Sequence, residues 1–336
     1  MKDRKKVAEI IFFIVVTAMT FYMVFFQQNP QMLFREIANI HKPYLIVCLL
    51  LGIGFVCMEG IMIHRILGSL GEESRPWKCI RYSFIGFFYS GITPSATGGQ
   101  PMQLYYMCKD GHKGSHATVT LMIVGLFYKA VLVVIGVGIA FAYGGHMDWL
   151  LGNYQFFFWL GLALNSAVVG MIIMLLVSPG IIECIAIKLI RLWCRRFAPE
   201  SERDKAAKIH AFVQEYRDAS IHMRKNPVVL VQIFFLTFLQ RMLLFVIPVC
   251  IYRGYGLYGE NSISIVVLQA AIYLAVDILP LPGAQGITET IYQSVMKGIF
   301  GAELLMPSLI ISRFANFYFL LVISLLFSVI RRQKSK

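Results

Sequence analysis

Charged residues are scarce in this 336-residue chain: Asp, Glu, Lys and Arg make up 15%, against 58% hydrophobic residues. The mean hydropathy is +0.68. A soluble domain of this length needs many more polar residues at its surface, so the composition excludes the soluble globular class. The apolar residues form continuous runs rather than short alternating segments. This pattern predicts an all-α polytopic membrane protein and argues against a barrel.

The sequence also lacks the motifs of common catalytic and nucleotide-driven machineries. It contains no HExxH zinc motif, no GxSxG nucleophile elbow and no P-loop. The seven cysteines form no CxxC pair and join no histidine cluster at metal-binding spacing. We therefore expect no disulfide, no metal and no cofactor, and we expect the protein not to be an enzyme.

Acidic residues are fewer than basic ones, 18 against 31, which gives a net charge of +13. Such a charge can indicate nucleic-acid binding, but here the basic residues flank apolar runs in the positive-inside pattern of membrane proteins. We expect contact with anionic lipid headgroups and none with nucleic acid. The predicted location is therefore a membrane. A homo-oligomer is compatible with the sequence.

Six apolar runs are long enough to cross a bilayer of about 30 Å. The first follows four basic residues and no small-residue cleavage site follows it, so we interpret it as a retained helix rather than a signal peptide. The predicted crossings are approximately 7–26, 44–63, 117–141, 156–177, 228–251 and 307–330.

Two further apolar segments, about 80–107 and 263–300, are broken by the same Pro-x-Ala-x-Gly pattern. The first break contains Pro94-Ser95-Ala96-Thr97-Gly98 and the second Pro282-Gly283-Ala284-Gln285-Gly286. If the first segment crossed once, the Lys- and Arg-rich linker 178–227 would lie outside, against the positive-inside rule. We therefore predict a re-entrant hairpin from the cytoplasm and a second hairpin from the outer side, with both termini cytoplasmic. Charge alone does not separate the second hairpin from two short crossings. Its short second limb, Ile287–Phe300, has 14 residues, which is about 21 Å of helix and favours a hairpin.

The two halves of the chain then match in mirror fashion. Each half has two crossings, a hairpin and a third crossing, which is the inverted-topology repeat found in many transporters. We predict a single transmembrane domain over 1–336, with repeat 1 at about 7–141 and repeat 2 at about 156–330. The linker between them contains an amphipathic helix over Ser201–Asn226, which is expected to lie on the membrane or to cap the bundle.

The first break supplies polar groups without formal charge. Pro94 ends a helix, Gly98 and Gly99 permit close backbone approach, and a helix restarting there presents free N–H groups to an anion. A hairpin tip solvated by its own side chains is the alternative. The candidate substrate-binding residues here are Thr93, Pro94, Thr97, Gly98, Gly99 and Gln100.

The second break is flanked by two acidic residues. Asp277 precedes it, and Glu289 lies in the first turn of the helix that restarts after it. Helix capping would explain Glu289, but a carboxylate within a membrane is costly and usually functional. Three basic residues lie within the crossings and need an acidic partner, a wet cavity or an anionic ligand: Lys129, Arg241 and Arg313. Lys129 and Arg313 occupy equivalent positions in the two repeats, and Glu59 is one candidate partner for Lys129. Internal ion pairing and substrate contact are equally compatible with these residues.

The run Thr93–Pro101, together with Pro280-x-Pro282-Gly283-x-x-Gly286-x-x-Glu289, resembles the flippase-like transmembrane domain of lysylphosphatidylglycerol synthases and its stand-alone relatives. The resemblance covers most of the chain. It implies movement of a phospholipid or lipid-linked polar group between leaflets. Aminoacyl transfer belongs to a separate soluble domain in that family, and we do not expect it here. The positions that the resemblance implies are Pro94, Gly98, Gly99, Gln100, Pro282, Gly283, Gly286 and Glu289.

One of these positions departs from the family pattern, because many relatives have an acidic residue where Gln100 stands. Our leading hypothesis is a lipid flippase or scramblase-like transporter of the bacterial plasma membrane, with a polar cavity between two hairpin tips. An ion-coupled transporter of a small solute could use the same hairpins. A lipid-modifying enzyme would require Glu59, His64 and Asp277 to converge within hydrogen-bonding distance.

Overall fold

The computed structural model describes residues 30–93, 96–178, 180, 183–184, 188, 202–277 and 286–333. Within these ranges the protein is helical and contains no strand. The predicted first crossing, 7–26, lies outside the described residues. The helices, in chain order, are α1 (Pro30–Asn39), α2 (Lys42–Ser69), α3 (Pro76–Ile92), α4 (Gly99–Lys109), α5 (Gly114–Tyr143), α6 (Met147–Leu151), α7 (Gln155–Val177), α8 (Glu202–Arg224), α9 (Pro227–Phe245), α10 (Ile247–Gly254), α11 (Ser262–Val276), α12 (Ile287–Arg313) and α13 (Phe319–Gln333).

Five helical stretches in the described part are long and apolar enough to cross a membrane. They contain four of the other five crossings predicted from the sequence and all but the last two residues of the fifth, so the prediction of an all-α polytopic membrane protein is confirmed. The stretches are Lys42–Ser69, Gly114–Tyr143, Gly152–Val177, Pro227–Gly254 and Ile287–Ser328.

The last of these stretches is two helical segments joined at a bend. A straight helix of its 42 residues would extend about 63 Å, roughly twice the hydrocarbon thickness. Gly301 interrupts it with φ 67° and ψ 177°, a conformation that glycine adopts without steric cost. The interruption follows Phe300, where the short limb predicted from the sequence, Ile287–Phe300, ends.

Beyond Arg313 the chain forms one wider turn, a π-helix over Phe314–Tyr318, before α13. This turn lies against α2 at a glycine. A Cβ built on Gly52 would be 2.5 Å from the carbonyl oxygen of Ala315, so no larger residue fits at position 52 without displacing backbone. A similar approach joins α7 to α11, where a Cβ on Gly161 would be 2.1 Å from the carbonyl oxygen of Leu274. Small residues thus set the closest helix contacts, as is common in membranes.

Helices α3 and α4 run antiparallel on either side of the first break. A Cβ on Gly86 would be 2.3 Å from the amide nitrogen of Gln103, and one on Gly99 would be 2.0 Å from the hydroxyl of Ser90. Gly86 therefore faces Gln103 and Ser90 faces Gly99, so the two helices run in opposite directions, as in a helical hairpin. Whether this hairpin enters the bilayer and returns to the same face stays a prediction, as does the inverted repeat.

Helix α8 is the predicted amphipathic helix, and it packs on the bundle. Its apolar residues Val213, Tyr216 and Met223 are buried. Ser115, in the first turn of α5, donates a hydrogen bond to Glu215 at 2.7 Å, and the Tyr216 hydroxyl donates to the carbonyl of Leu175 at 3.3 Å. Burial of one face against the bundle explains why the helix alternates apolar and polar residues.

Candidate functional site

The first break is closed by hydrogen bonds within its own turn. The Thr93 hydroxyl accepts a hydrogen bond from the N–H of Gly98 at 2.9 Å and donates one to the carbonyl of Tyr89 at 2.6 Å. The N–H of Ala96 donates to the carbonyl of Thr93 at 3.2 Å. Thr93, a predicted substrate-binding residue, therefore has a structural role that uses its hydroxyl in both directions. Pro94 lies outside the described residues.

The rest of the first break faces outward and toward α5. Thr97 and Gln100 are exposed, whereas Gly99 is buried in the contact between α3 and α4. The amide nitrogen of Gln100 lies 2.8 Å from where a Cβ on Gly125 would be. Gly125 precedes Lys129 by one helical turn, so the tip of the first hairpin lies beside the basic residue in the middle of α5.

Lys129 forms an ion pair with Asp277, which lies at the end of α11 just before the second break. The Lys129 Nζ is 2.5 Å from Asp277 Oδ2, and the Asp277 side chain is 8% exposed. The suggestion that Glu59 is the partner of Lys129 is wrong. Glu59 instead accepts a hydrogen bond from the amide of Gln103 at 2.5 Å. Lys129 thus connects the two breaks, because Gln100 lies one turn away from it and Asp277 adjoins the second.

Arg241 lies beside this pair and is completely buried. Its guanidinium stacks over the ring of Tyr128, with 3.4 Å between Cζ and the ring centroid, and its Nη2 donates to the Tyr128 carbonyl at 3.2 Å. The nearest Asp277 oxygen is 4.0 Å from Nη2, beyond hydrogen-bonding distance. Desolvated stacking of this kind stabilises a cation by about 2 kcal/mol. Tyr128 was missed at the sequence level, although it adjoins Lys129 in the chain.

The second carboxylate, Glu289, holds the other side of the second break. Its Oε2 accepts a hydrogen bond from the N–H of Gly286 at 2.6 Å, and this bond caps α12. Its Oε1 accepts a hydrogen bond from the Nε of Arg313, also at 2.6 Å. Gly286 has φ 87°, in the left-handed region that favours glycine. One oxygen of Glu289 therefore caps the helix and the other binds a cation, and a role in substrate binding stays a prediction. Pro282 and Gly283 lie outside the described residues.

These side chains form a charged cluster of Lys129, Arg241, Asp277, Glu289 and Arg313. The Tyr273 side chain, on α11, lies near Arg241, Arg313 and Asp277, so it is close to members of both ion pairs. The side chains of the cluster are between 0% and 21% exposed. Charges at such depth are costly unless paired, so their position around one break is a strong constraint on the fold.

The groups that an intramembrane enzyme would need have separate partners. Glu59 binds Gln103, His64 shares a 2.7 Å hydrogen bond with Ser74, and Asp277 binds Lys129. Among the described residues no hydrogen bond joins Glu59, His64 and Asp277 to one another. Nor does the described part contain a group of three or more His, Cys, Asp or Glu side chains placed to hold a metal ion.

A second polar cluster, missed at the sequence level, joins the two ends of the first hairpin. Glu72 accepts hydrogen bonds from the Nδ1 atoms of His112, at 3.1 Å, and of His116, at 2.8 Å. Burial alone would raise the pKa of Glu72, but the hydrogen bonds from His112, His116 and the Lys113 N–H outweigh it and lower the pKa. The signal in the sequence was the concentration of polar residues in the two loops that flank α3 and α4.

Asp110 makes a similar contact between these loops and α3. One of its oxygens accepts a hydrogen bond from Arg81 at 2.9 Å and another from the Tyr82 hydroxyl at 2.6 Å. The ring of His112 meets that of Tyr82 edge-on, with 6.3 Å between centroids. The base of the first hairpin is therefore held by charged groups, whereas its turn is held by neutral ones.

Comparison with known protein families identifies one that matches the chain. The family described as the lysylphosphatidylglycerol synthase TM region matches residues 10–324. The chain therefore belongs to this family, as the motifs around the two breaks indicate. A search of curated proteins returned no match.

Proposed function

We propose that this member of the lysylphosphatidylglycerol synthase TM family moves a phospholipid, or another lipid with a polar headgroup, between the two leaflets of a membrane. The observation that carries the proposal is the charged cluster around the second break. Burying five ionisable side chains among apolar helices is costly, and a scaffold that only spans a bilayer offers no reason to bury so many charges.

The path of the headgroup would run between the two breaks. In this proposal the hairpin of α3 and α4 and the hairpin of α11 and the first limb of α12 enter from opposite leaflets and meet beside α5. The contacts of α5 support that arrangement, because Gly125 adjoins Gln100 and Lys129 binds Asp277. Irregular backbone at membrane depth is stable only when it is buried in protein or lines a polar cavity.

In this mechanism the protein changes no covalent bond. The headgroup exchanges its hydration for the polar groups of the breaks, while the acyl chains stay in the bilayer. Lys129, Arg241 and Arg313 would offset the negative charge of the phosphate as it leaves the interface. Asp277 and Glu289 would hold these cations when no lipid is bound, which lowers the cost of burying them.

Reconstitution into liposomes tests the proposal. Vesicles containing the purified protein and a fluorescent phospholipid are treated with a membrane-impermeant quencher, and the fraction of lipid that becomes accessible is followed with time. We expect wild-type protein to speed the exchange and Glu289→Gln to slow it by at least about tenfold, since a buried charge-assisted contact is lost. Glu303→Gln is the matched control, because Glu303 lies exposed on the same helix.

The outcome that contradicts the proposal is equally definite. If wild-type protein moves no labelled phospholipid under a proton gradient, a sodium gradient or neither, lipid transport is excluded. If lipid moves but Glu289→Gln and Glu303→Gln behave alike, the charged cluster is not part of the path.

A further inference from the structure

Arg241 is the side chain of the cluster whose hydrogen-bonding capacity is least used. A guanidinium carries five N–H donors and cannot lose its charge in a protein. Arg241 is 0% exposed, and within the described part of the chain its Nε and Nη1 have no hydrogen-bond acceptor. Buried donors without acceptors are uncommon in native proteins and are a reason to look for a missing ligand.

The balance of charge in the cluster points the same way. Lys129 binds Asp277, and Arg313 binds Glu289. Three cations face two carboxylates, and the cation without a direct carboxylate contact is Arg241, at 4.0 Å from Asp277. Glu59 does not supply the missing charge, because its carboxylate binds Gln103 and makes no ion pair within the described residues.

The stacking of Arg241 on Tyr128 fixes the orientation of the unused donors. The guanidinium lies 3.4 Å from the ring centroid, so its plane is held while its edge is free to bind. Nε and Nη1 point to different edges of the guanidinium plane, so each offers a separate charge-assisted hydrogen bond to an oxygen of a phosphate or a carboxylate. Lys129 adjoins Tyr128 in the chain, and its Nζ is 5.9 Å from the centroid of the same ring. A second cation is therefore available beside the guanidinium.

We propose that Arg241 is a phosphate receptor, which binds a phosphate oxygen through a free guanidinium donor, Nε or Nη1, with Lys129 as the neighbouring cation. This inference rests on the proposed function, because a phospholipid phosphodiester is the phosphate that reaches this depth while its chains stay in the bilayer. Free inorganic phosphate has the same chemistry and is the other source. Since Nε and Nη1 are buried here, the phosphate binds only after the packing around Arg241 opens.

Thermal unfolding of the purified full-length protein in detergent tests the site. Three probes are titrated: short-chain phosphatidylglycerol, diacylglycerol with the same acyl chains but no phosphate, and inorganic phosphate. A ligand that binds the folded state raises the unfolding temperature with its concentration. We expect phosphatidylglycerol, and not diacylglycerol, to stabilise wild-type protein in a saturable manner.

Two variants assign that effect to Arg241. Arg241→Gln should raise the apparent Kd for phosphatidylglycerol by about tenfold or more, because a charge-assisted hydrogen bond is lost. Arg253→Gln should leave it unchanged, since Arg253 has protein acceptors in the carbonyl of Leu257 and the hydroxyl of Ser262. If Arg241→Gln does not fold, Arg241→Lys keeps the charge but loses the guanidinium donors, and an increase in Kd with this variant still supports the assignment.

Several results would overturn the receptor. One is that phosphatidylglycerol and diacylglycerol stabilise wild-type protein equally. Another is that Arg241→Gln leaves the Kd for phosphatidylglycerol unchanged; if Arg241→Gln does not fold, an unchanged Kd in Arg241→Lys has the same meaning. Stabilisation by inorganic phosphate that depends on Arg241 supports the receptor with a soluble ion as ligand. The liposome assay separates the two proposals. Arg241-dependent binding without lipid movement refutes transport alone, whereas lipid movement unaffected by Arg241→Gln refutes the receptor alone.

Discussion

The two breaks share a Pro-x-Ala-x-Gly pattern but are held together by different means. The turn of the first break is closed by Thr93, Ser90 and backbone groups within ten residues of one another. The second break is bordered by Asp277 and Glu289, and Asp277 is held by Lys129, 148 positions away in the sequence. A shared sequence pattern therefore does not imply shared energetics. The first turn is closed by local, neutral groups, whereas the residues that border the second break form ion pairs, one of which reaches across the fold.

The largest effect should come from breaking the ion pair across the two halves. Lys129→Met leaves Asp277 buried with Arg241 at 4.0 Å as its nearest cation, and we expect a loss of about 3–5 kcal/mol in the free energy of unfolding. SDS titration of the protein in mixed micelles measures this loss. The double variant Lys129→Met with Asp277→Asn should recover a large part of it, because no unpaired carboxylate remains. Equal losses in the single and double variants would show that the pair is unimportant.

A smaller loss should follow from neutralising the second carboxylate. Glu289→Gln keeps an oxygen that can accept the hydrogen bond from the N–H of Gly286 but removes the charge that binds Arg313. We expect a loss of about 1–3 kcal/mol in the free energy of unfolding. The same titration of Glu303→Gln, on the exposed face of α12, should give no loss. A Glu289→Gln variant as stable as Glu303→Gln would contradict the contrast drawn between the two breaks.

The turn of the first break should respond more weakly. Thr93→Val removes the hydroxyl that accepts a hydrogen bond from the N–H of Gly98 and donates one to the carbonyl of Tyr89. We expect the free energy of unfolding to fall by about 1 kcal/mol. Thr93→Ser keeps the hydroxyl and should restore the stability. If Thr93→Val costs as much as Lys129→Met, the first turn is under the same constraint as the second.

A substitution at the base of the first hairpin should have the smallest effect on stability, and this effect should depend on pH. The pKa of Glu72 is lowered in the folded protein, so its contribution to stability is present above the unfolded value of about 4.5 and is lost as the pH falls through the lower folded value. Thermal unfolding in detergent between pH 6 and pH 3 should therefore show a steeper decline for wild-type protein than for Glu72→Gln. Parallel curves would show that the contacts of His112 and His116 with Glu72 contribute nothing.

Much of the fold follows from hydropathy and helix-breaking residues. The five described spans and the end of the short limb at Phe300 were predictable because apolar run length and glycine position act locally. The partners of the buried charges were not predictable. Glu59 and Asp277 were both available to Lys129, and the choice depends on how α5 packs against α2 and α11, which single-sequence periodicity does not encode.

The same limit explains the other residues that were missed. Tyr128 precedes Lys129, yet its ring stacks on a cation from α9 that is 113 positions away in the sequence. The residues Glu72, His112 and His116 lie in two loops that come together only when α3 and α4 fold back on each other. Thr93 was correctly placed at a break, but its role in closing the turn is a matter of side-chain geometry rather than of spacing.

The π-helix at Phe314–Tyr318 limits how the chain can vary in length. A wide turn accommodates one residue more than an α-helical turn, so every position after it is rotated by about 100° relative to a continuous helix. Arg313 lies immediately before this turn and must face Glu289, while α13 after it must keep its own packed face. Losing or gaining one residue here would move one of those faces out of register. Variation in chain length is thus better tolerated in the loops between helices than in this apparently uniform apolar run.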